Sequence, residues 1–227
     1  MCAAGQPEEQ KQEFVQANIY FPTFIYTIEK PEFLDVVGKI AEEALVDVRK
    51  GEALNEIYPA HMTGNLFDKP DIIPFRFFVG GTAYNLLNEQ GYKLDGFETY
   101  FSEMWCQEHY KHSAMEQHVH GAGSQIVGFY FLECPENCSR VVFHDPRPGK
   151  PMTSWVEKDM TQATAASNSI HFTPKPGLLM FTNAWLPHSF TRHESDKPMK
   201  FIHFNLGLRP LRSAPVNLDV APAAEIV

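Results

Sequence analysis

Basic residues are scarce in this chain, and the shortage limits the partners that it can bind. The 227 residues include 19 Lys and Arg against 28 Asp and Glu, a formal net charge of −9. Because nucleic-acid binding requires a basic face, we expect no nucleic-acid partner. No apolar run reaches the roughly 18 residues of a membrane span, and residues 1–12 lack the apolar core of a signal peptide. These absences favour a cytoplasmic protein without a membrane segment.

Cysteine is also rare. The chain has four, at positions 2, 106, 134 and 138, and no CxxC pair, so the spacing does not indicate a disulfide framework. Cys134 and Cys138 flank the sequence Pro-Glu-Asn, which is typical of a turn. We expect two free thiols at the ends of a turn between strands rather than a bridge or a metal clip.

The abundant residues are Phe and Pro, 18 and 17 of them, which favour strands and turns over a helical bundle. Before residue 96 we expect one or two strands within Phe14–Ile28 and two helices. The first helix begins at Pro31 and ends at Gly51, with apolar residues at helical spacing. The second runs from about Pro74 to Gln90, although Gly80 and Gly81 interrupt it. Both helices should pack outside whatever the strands build.

From Gly96 onward, short apolar segments alternate with Gly, Pro, Asn and Asp. Eight short strands without helices between them predict a mainly β fold, the double-stranded β-helix or jelly-roll barrel. We expect a long loop at 146–168, suited to a lid. The chain then reads as one domain with four parts: a polar leader at 1–13, strands and helices at 14–95, the jelly-roll core at 96–208 and a C-terminal extension at 209–227.

Three histidines indicate a metal site. Side chains two apart on a strand share a face, so His118 and His120 can converge on one point. His188 follows a proline at the end of an apolar segment, where a strand would deliver it to the barrel mouth. Imidazole is a common ligand of iron, zinc, copper and nickel, and open sites of this kind support oxygen chemistry. The sequence predicts a mononuclear metal site at these residues.

Lys200 predicts a second feature of the site. It shares a strand face with Ile202, Phe204 and Leu206, an apolar face that we expect to point inward. A buried lysine needs an anionic partner, and no acid stands beside it on that strand. A bound carboxylate would provide that partner; alternatively, Lys200 reaches solvent at the barrel rim.

The order of these motifs resembles the iron(II)- and 2-oxoglutarate-dependent oxygenases. The resemblance covers residues 18–208, most strongly from Trp105 onward, and is closest to a branch found in marine bacteria and cyanophages. It rests on the histidine pair, a strand ending Tyr-Phe-Leu, an Asp-Pro-Arg, the segment from Gly-Leu-Leu-Met-Phe to Trp-Leu-Pro-His, and a basic residue 12 positions after His188.

The resemblance implies Fe(II), 2-oxoglutarate and O₂ as cofactor and co-substrates. It places the first ligand at His118, the distal ligand at His188, and the far carboxylate of 2-oxoglutarate on Lys200, with the Tyr130 hydroxyl beside it. Position 120 is His where the superfamily usually has Asp or Glu, so the third ligand is His120, or Asp145, or absent from the protein. Lys200 stands where arginine is common, and a lysine lacks the bidentate fork of arginine.

The predicted activity is therefore an Fe(II)/2-oxoglutarate-dependent dioxygenase that hydroxylates an amino-acid side chain or another small molecule, free or in a peptide. The alternative is a cupin-like jelly roll with a three-histidine metal site. Such a protein is either a dioxygenase independent of 2-oxoglutarate or a binding module for a metal or anion.

Overall fold

The computed structural model describes residues 14–121 and 123–211. The predicted polar leader, Cys2 and nearly all of the predicted C-terminal extension lie outside the described residues. The helices are α1 (Leu34–Gly51), α2 (Ile73–Glu89) and the short α3 (Gly149–Met152). The strands are β1 (Ile25–Glu29), β2 (Ala60–Met62), β3 (Phe97–His109), β4 (Met115–His118), β5 (Ser124–Glu133), β6 (Val141–His144), β7 (Ser169–Phe172), β8 (Leu178–Asn183), β9 (His188–Phe190) and β10 (Met199–Pro210).

The strands form two antiparallel sheets. Six strands pair in the order β1-β8-β5-β10-β3-β2, and four in the order β4-β9-β6-β7. Non-consecutive neighbours in both sheets reflect a chain that crosses repeatedly from one sheet to the other. As a result, residues far apart in sequence meet in the space between the sheets.

The six-stranded sheet is buried on both faces. On its inner face, Phe129 and Phe201 belong to an apolar cluster shared with the four-stranded sheet. On its outer face, Ile202 and Phe204 belong to a second cluster shared with α1 and α2. Because side chains alternate along β10, its odd-numbered residues face the four-stranded sheet and its even-numbered residues face the helices.

The predicted helices and strands agree closely with the structure. The helix from Pro31 to Gly51 is confirmed, with a single 3₁₀ turn before α1, and the second helix continues through its glycine pair. Eight strands lie within the described residues after position 96, as expected. Residues 14–24 differ, since they form no strand and are exposed, and β2 was not predicted. The expected loop at 146–168 contains α3.

Cys134 and Cys138 lie in the turn between β5 and β6, where we expected two free thiols. Both cysteines carry free thiols. The interaction between the two neighbouring thiols lowers the pKa of Cys138 and raises that of Cys134. Among the described helices, none combines the length and the apolar character needed to cross a membrane.

Candidate metal centre

Three imidazoles meet at one end of the four-stranded sheet. His118 ends β4, His188 begins β9, and the two are direct register partners. His120 lies just beyond β4, where its backbone N–H donates to the Ala184 carbonyl at 2.9 Å. One ligand nitrogen from each histidine lies within 4.8 Å of the others. The structure therefore brings the three predicted ligands together.

Backbone carbonyls fix the orientation of two of these rings. The Nδ1 atom of His118 lies 2.8 Å from the Glu116 carbonyl oxygen, and that of His188 lies 3.0 Å from the Leu186 carbonyl oxygen. A carbonyl oxygen only accepts, so each Nδ1 carries the proton and donates it. Each Nε2 is left with a free lone pair, the arrangement found in metal-binding histidines.

The nitrogens converge closely, and burial keeps two rings neutral. The Nε2 atoms of His120 and His188 are 3.3 Å apart. Burial, with smaller effects from the neighbouring histidines, lowers the pKa of His188 to about 3, and burial lowers that of His120 to about 4. Neutral imidazole is the form that binds a metal. The donor set fits iron(II), which accepts imidazole ligands and leaves further positions open for exogenous ligands.

Aromatic side chains close one side of the centre. The Phe129 and His188 rings have centroids 5.5 Å apart, and the Phe143 and His188 rings 6.2 Å apart. Phe129 and Phe143 are both almost completely buried. This packing excludes water from the inner side of His188 and restricts the position of its ring.

Neither acidic residue near the histidine pair in sequence joins the centre. Asp145 pairs instead with Arg147, at 2.9 Å from Arg147 Nε, and this pairing lowers the pKa of the carboxyl group. Glu116 is exposed and accepts a hydrogen bond from the Tyr58 hydroxyl. Of the two alternatives for the third ligand position, the structure therefore groups His120, and not Asp145, with His118 and His188.

Lys200 does not lie where the sequence argument placed it. Its apolar face is buried, but against α1 and α2 rather than in the barrel. The Lys200 Nζ atom lies 2.9 Å from a Glu42 carboxylate oxygen and 3.0 Å from one of Glu133. The expectation of an inward lysine without an acidic partner is wrong, because α1, 158 residues earlier, supplies Glu42.

Tyr130 also faces the helices. It packs against Phe75 of α2, with ring centroids 4.9 Å apart, and its hydroxyl donates to the Lys30 carbonyl at 2.7 Å. Tyr130 and Lys200 therefore lie on the outer face of the six-stranded sheet, separated from the histidines by that sheet. The structure gives no support to their predicted contact with 2-oxoglutarate.

Another histidine, His203, is buried beside the centre and was not among the predicted site residues. The ring centroid of His203 is 4.9 Å from that of His120 and 5.0 Å from that of Phe129. Burial, followed by the nearby His120, lowers the pKa of His203 well below its ordinary value. His203 lies two residues after Phe201 on β10, so the two side chains share a face. This spacing could have identified His203 as a site residue only if the sequence had shown which face of β10 points inward.

Comparisons with known proteins agree with this geometry. A family model described as "Putative 2OG-Fe(II) oxygenase" matches residues 103–205, while no curated protein matches the chain. Similar solved structures include the alpha ketoglutarate dependent carbocyclase SnoK from nogalamycin biosynthesis, with 12% identity, TM-score 0.56, and coverage of 81% of this chain and 79% of that one. A prolyl hydroxylase described with a peptide fragment from Trichoplax adhaerens has 10% identity, TM-score 0.52, and coverage of 81% and 83%.

A Pseudomonas putida prolyl-4-hydroxylase is similar as well, with 13% identity, TM-score 0.50, and coverage of 82% of this chain and 93% of that one. At such low identity these structures establish the fold. The predicted double-stranded β-helix is confirmed, with the two sheets facing each other.

Proposed function

We propose that this chain, a member of the iron(II)- and 2-oxoglutarate-dependent oxygenase superfamily, is a hydroxylase whose iron is held by His118, His120 and His188. The observation that carries the proposal is the convergence of three imidazoles, two of them oriented by backbone carbonyls. The cofactors of the superfamily are Fe(II) and 2-oxoglutarate, with O₂ as the oxidant.

When bound, iron and 2-oxoglutarate supply the activation of O₂ and the oxidative decarboxylation of 2-oxoglutarate to succinate. The chain itself supplies the geometry and the exclusion of water. His118 and His188 present Nε2 lone pairs because the carbonyls of Glu116 and Leu186 hold the Nδ1 protons. Phe129 packs against the inner side of the centre and limits the access of water to it.

The interior also suits a polar ligand beside the iron. On the inner face of β10, the Nε2 atom of His203 and the Oδ1 atom of Asn205 are buried without a hydrogen-bond partner. Buried polar atoms are usually satisfied, and each unsatisfied one costs about 1–3 kcal/mol. A bound carboxylate would accept from the His203 Nε2–H group, whereas the Asn205 Oδ1 atom requires a donor such as a substrate hydroxyl or N–H group.

We infer that the substrate enters through a cleft of about 260 Å³ between the N-terminal segment and the loop after β6. Its wall includes Phe143 and Leu186, both adjoining His188: Phe143 faces it across β6 and β9, and the Leu186 carbonyl holds its ring. The loop at 146–168 exposes four large apolar side chains that suit a lid over a substrate: Met152, Trp155, Val156 and Met160.

Substrate identity is proposed only as a class, a small molecule or an amino-acid side chain, free or in a peptide. Two of the similar structures bear the name prolyl hydroxylase and a third is named a carbocyclase, which supports that range. The cytoplasmic location and the lack of a nucleic-acid partner rest on composition and stay predictions. The division of residues 14–208 into an N-terminal part and a jelly-roll core is likewise proposed.

An anaerobic titration with Fe(II), with and without 2-oxoglutarate, tests the proposal. We expect one iron per chain and a visible charge-transfer band that requires both iron and 2-oxoglutarate. Admitting air should then convert 2-oxoglutarate to succinate. Iron binding without the band would favour the three-histidine cupin alternative, and failure to bind any divalent metal would refute the proposed site.

A further inference from the structure

A buried polar stripe runs along the inner face of the six-stranded sheet and ends at the metal centre. Gln107 and His109 of β3 and His203 of β10 form it, and each is at most 2% exposed. The stripe is surrounded by aromatic rings, including Phe201 and Trp105, whose centroids lie 5.1 Å from His109 and 4.3 Å from His203, respectively. Polar groups in such surroundings are costly unless they bind one another or a ligand.

Hydrogen bonds within the stripe set its direction. The His109 Nε2 atom lies 2.9 Å from Gln107 Oε1, which only accepts, so His109 donates. The Gln107 amide nitrogen lies 3.3 Å from His203 Nδ1 and donates to it. His203 Nδ1 is therefore the acceptor, and a neutral His203 carries its proton on Nε2.

That Nε2–H group is buried without a protein partner. The ring that carries it packs edge-on against His120, with centroids 4.9 Å apart. The stripe therefore presents one neutral, pre-oriented donor next to the histidine that shares the centre with His118 and His188.

This donor matters because the described interior offers an anionic ligand no buried cation. Every Lys and Arg among residues 14–121 and 123–211 is at least partly exposed. Lys200, the cation expected to meet 2-oxoglutarate, is paired with Glu42 on the outer side of the sheet. A dicarboxylate in the described interior would therefore meet neutral donors rather than a buried cation.

We propose that His203 is a binding residue for 2-oxoglutarate: its Nε2–H donates to a carboxylate oxygen of the co-substrate, and Gln107 and His109 hold the tautomer that makes this possible. The inference rests on the proposed function, since it takes the three-histidine centre as the place where 2-oxoglutarate binds. It assigns the contact to β10, as the sequence argument did, but to the opposite face of that strand.

The test compares wild type with His203→Leu and His203→Gln, measuring metal and 2-oxoglutarate affinities separately under anaerobic conditions. Leucine removes the donor, whereas the glutamine amide can replace an Nε2–H. We expect Fe(II) affinity without 2-oxoglutarate to stay nearly unchanged in both variants. The dissociation constant of 2-oxoglutarate, read from the charge-transfer band, should rise about 10- to 100-fold in His203→Leu, as for a lost bond to a charged group, and recover largely in His203→Gln.

Two further variants complete the design. Gln107→Met leaves the His203 ring in place but removes the amide that donates to its Nδ1 atom, so the proton is no longer fixed on Nε2. This variant should weaken 2-oxoglutarate binding by a smaller factor than His203→Leu. It also keeps the proposal testable should His203→Leu fail to fold. His171→Gln, at an exposed position of β7, is the matched control and should change neither affinity.

The outcomes separate this inference from the proposed function. Unchanged 2-oxoglutarate affinity in His203→Leu, with wild-type binding intact, overturns the inference alone. Loss of Fe(II) binding in a folded His203→Leu variant also overturns it, because His203 would then be a metal ligand. A wild-type protein that binds iron but no 2-oxoglutarate removes both the inference and the 2-oxoglutarate part of the proposed function.

Discussion

His118 and His188 lie directly opposite each other in the antiparallel pair of β4 and β9, with ring centroids 4.5 Å apart. Seventy residues separate them in sequence, and the register of two short strands brings them together. Each ring is held by a carbonyl two residues earlier in its own strand or turn. His120 has no such restraint among the described hydrogen bonds, and this difference ranks the three proposed ligands.

We predict that His118→Ala and His188→Ala lose metal more completely than His120→Ala. A pre-oriented ligand has little side-chain freedom to lose on binding, so its removal should cost more than that of a less restrained one. Metal content after anaerobic loading with Fe(II), checked with redox-inert Ni(II), measures the order. His112→Ala, at an exposed histidine, is the control. Should His120→Ala prove the most damaging, the argument from carbonyl restraint fails.

Bound metal should also stabilise the fold, since a ligand that binds only the native state raises its free energy of unfolding. At a free Ni(II) concentration about 100 times the dissociation constant, the gain is about 2.7 kcal/mol. We expect a higher melting temperature for wild type with Ni(II) and no shift for His188→Ala. An equal shift in both proteins would place the stabilising metal elsewhere.

Much of the fold could be predicted because the local signals agree with one another. Helix α1 begins at a proline-started turn and ends at Gly51, and its buried residues have helical spacing. The eight strands after residue 96 are separated by turn-forming residues. By contrast, β2 has three residues and obtains its pairing from β3, so no local pattern marks it. Residues 14–24 are rich in aromatics but form no strand, since they are exposed rather than packed against a sheet.

The sequence predicted which histidines meet at the site but not which face of β10 points towards them. The sequence argument grouped His118 and His120 as neighbours on one strand face, and the structure does bring them together, although His120 lies just beyond β4 and is held by the Ala184 carbonyl. Lys200 was misplaced because β10 is buried on both faces, with Phe201 on one and Phe204 on the other. Apolar alternation shows that a face is buried but not which layer covers it. For the same reason, the role proposed for His203 becomes visible only in three dimensions.

The position of Lys200 leads to a prediction about stability. Replacing it with Met removes its bonds to Glu42 and Glu133 and should lower the free energy of unfolding by about 1.5–3 kcal/mol. Arg49→Met should cost more, about 3–5 kcal/mol, because it leaves Glu108 buried, with 2% of its side chain exposed, and without its bidentate partner. Urea unfolding measures both.

The same Lys200→Met variant separates a structural role from a ligand-binding one. We expect its affinity for 2-oxoglutarate to match wild type when measured on folded protein, since its charge lies on the far side of the sheet from the histidines. A large loss of 2-oxoglutarate affinity in this variant would restore the sequence-based assignment and contradict the structure.

The environment of Glu42 leads to a prediction of how the free energy of unfolding changes with pH. Hydrogen bonding to Arg49, and then to Lys200, lowers the pKa of Glu42 from 4.5 to about 2 in the folded protein. A carboxyl group whose folded pKa is depressed stabilises the fold above its unfolded pKa, and that contribution is lost as the pH falls from 4.5 towards 2. We expect Glu42→Gln to be less stable than wild type near neutral pH, and the difference to shrink through this window. A difference independent of pH would exclude the linkage.

Replacement of glycine by alanine should have opposite effects on stability at two positions, Gly128 and Gly38. A Cβ atom at Gly128 of β5 would overlap both the Phe204 ring and the backbone carbonyl of Met180, and the carbonyl cannot move without breaking strand pairing. Gly128→Ala should therefore destabilise the protein by about 1–3 kcal/mol or more. Gly38 lies within α1 with no atom within 4 Å of a built Cβ, so Gly38→Ala should stabilise by about 0.5–1 kcal/mol through backbone entropy. Thermal unfolding of the two variants measures both signs, and a stabilising Gly128→Ala would mean that β5, β8 and β10 pack less tightly than the structure shows.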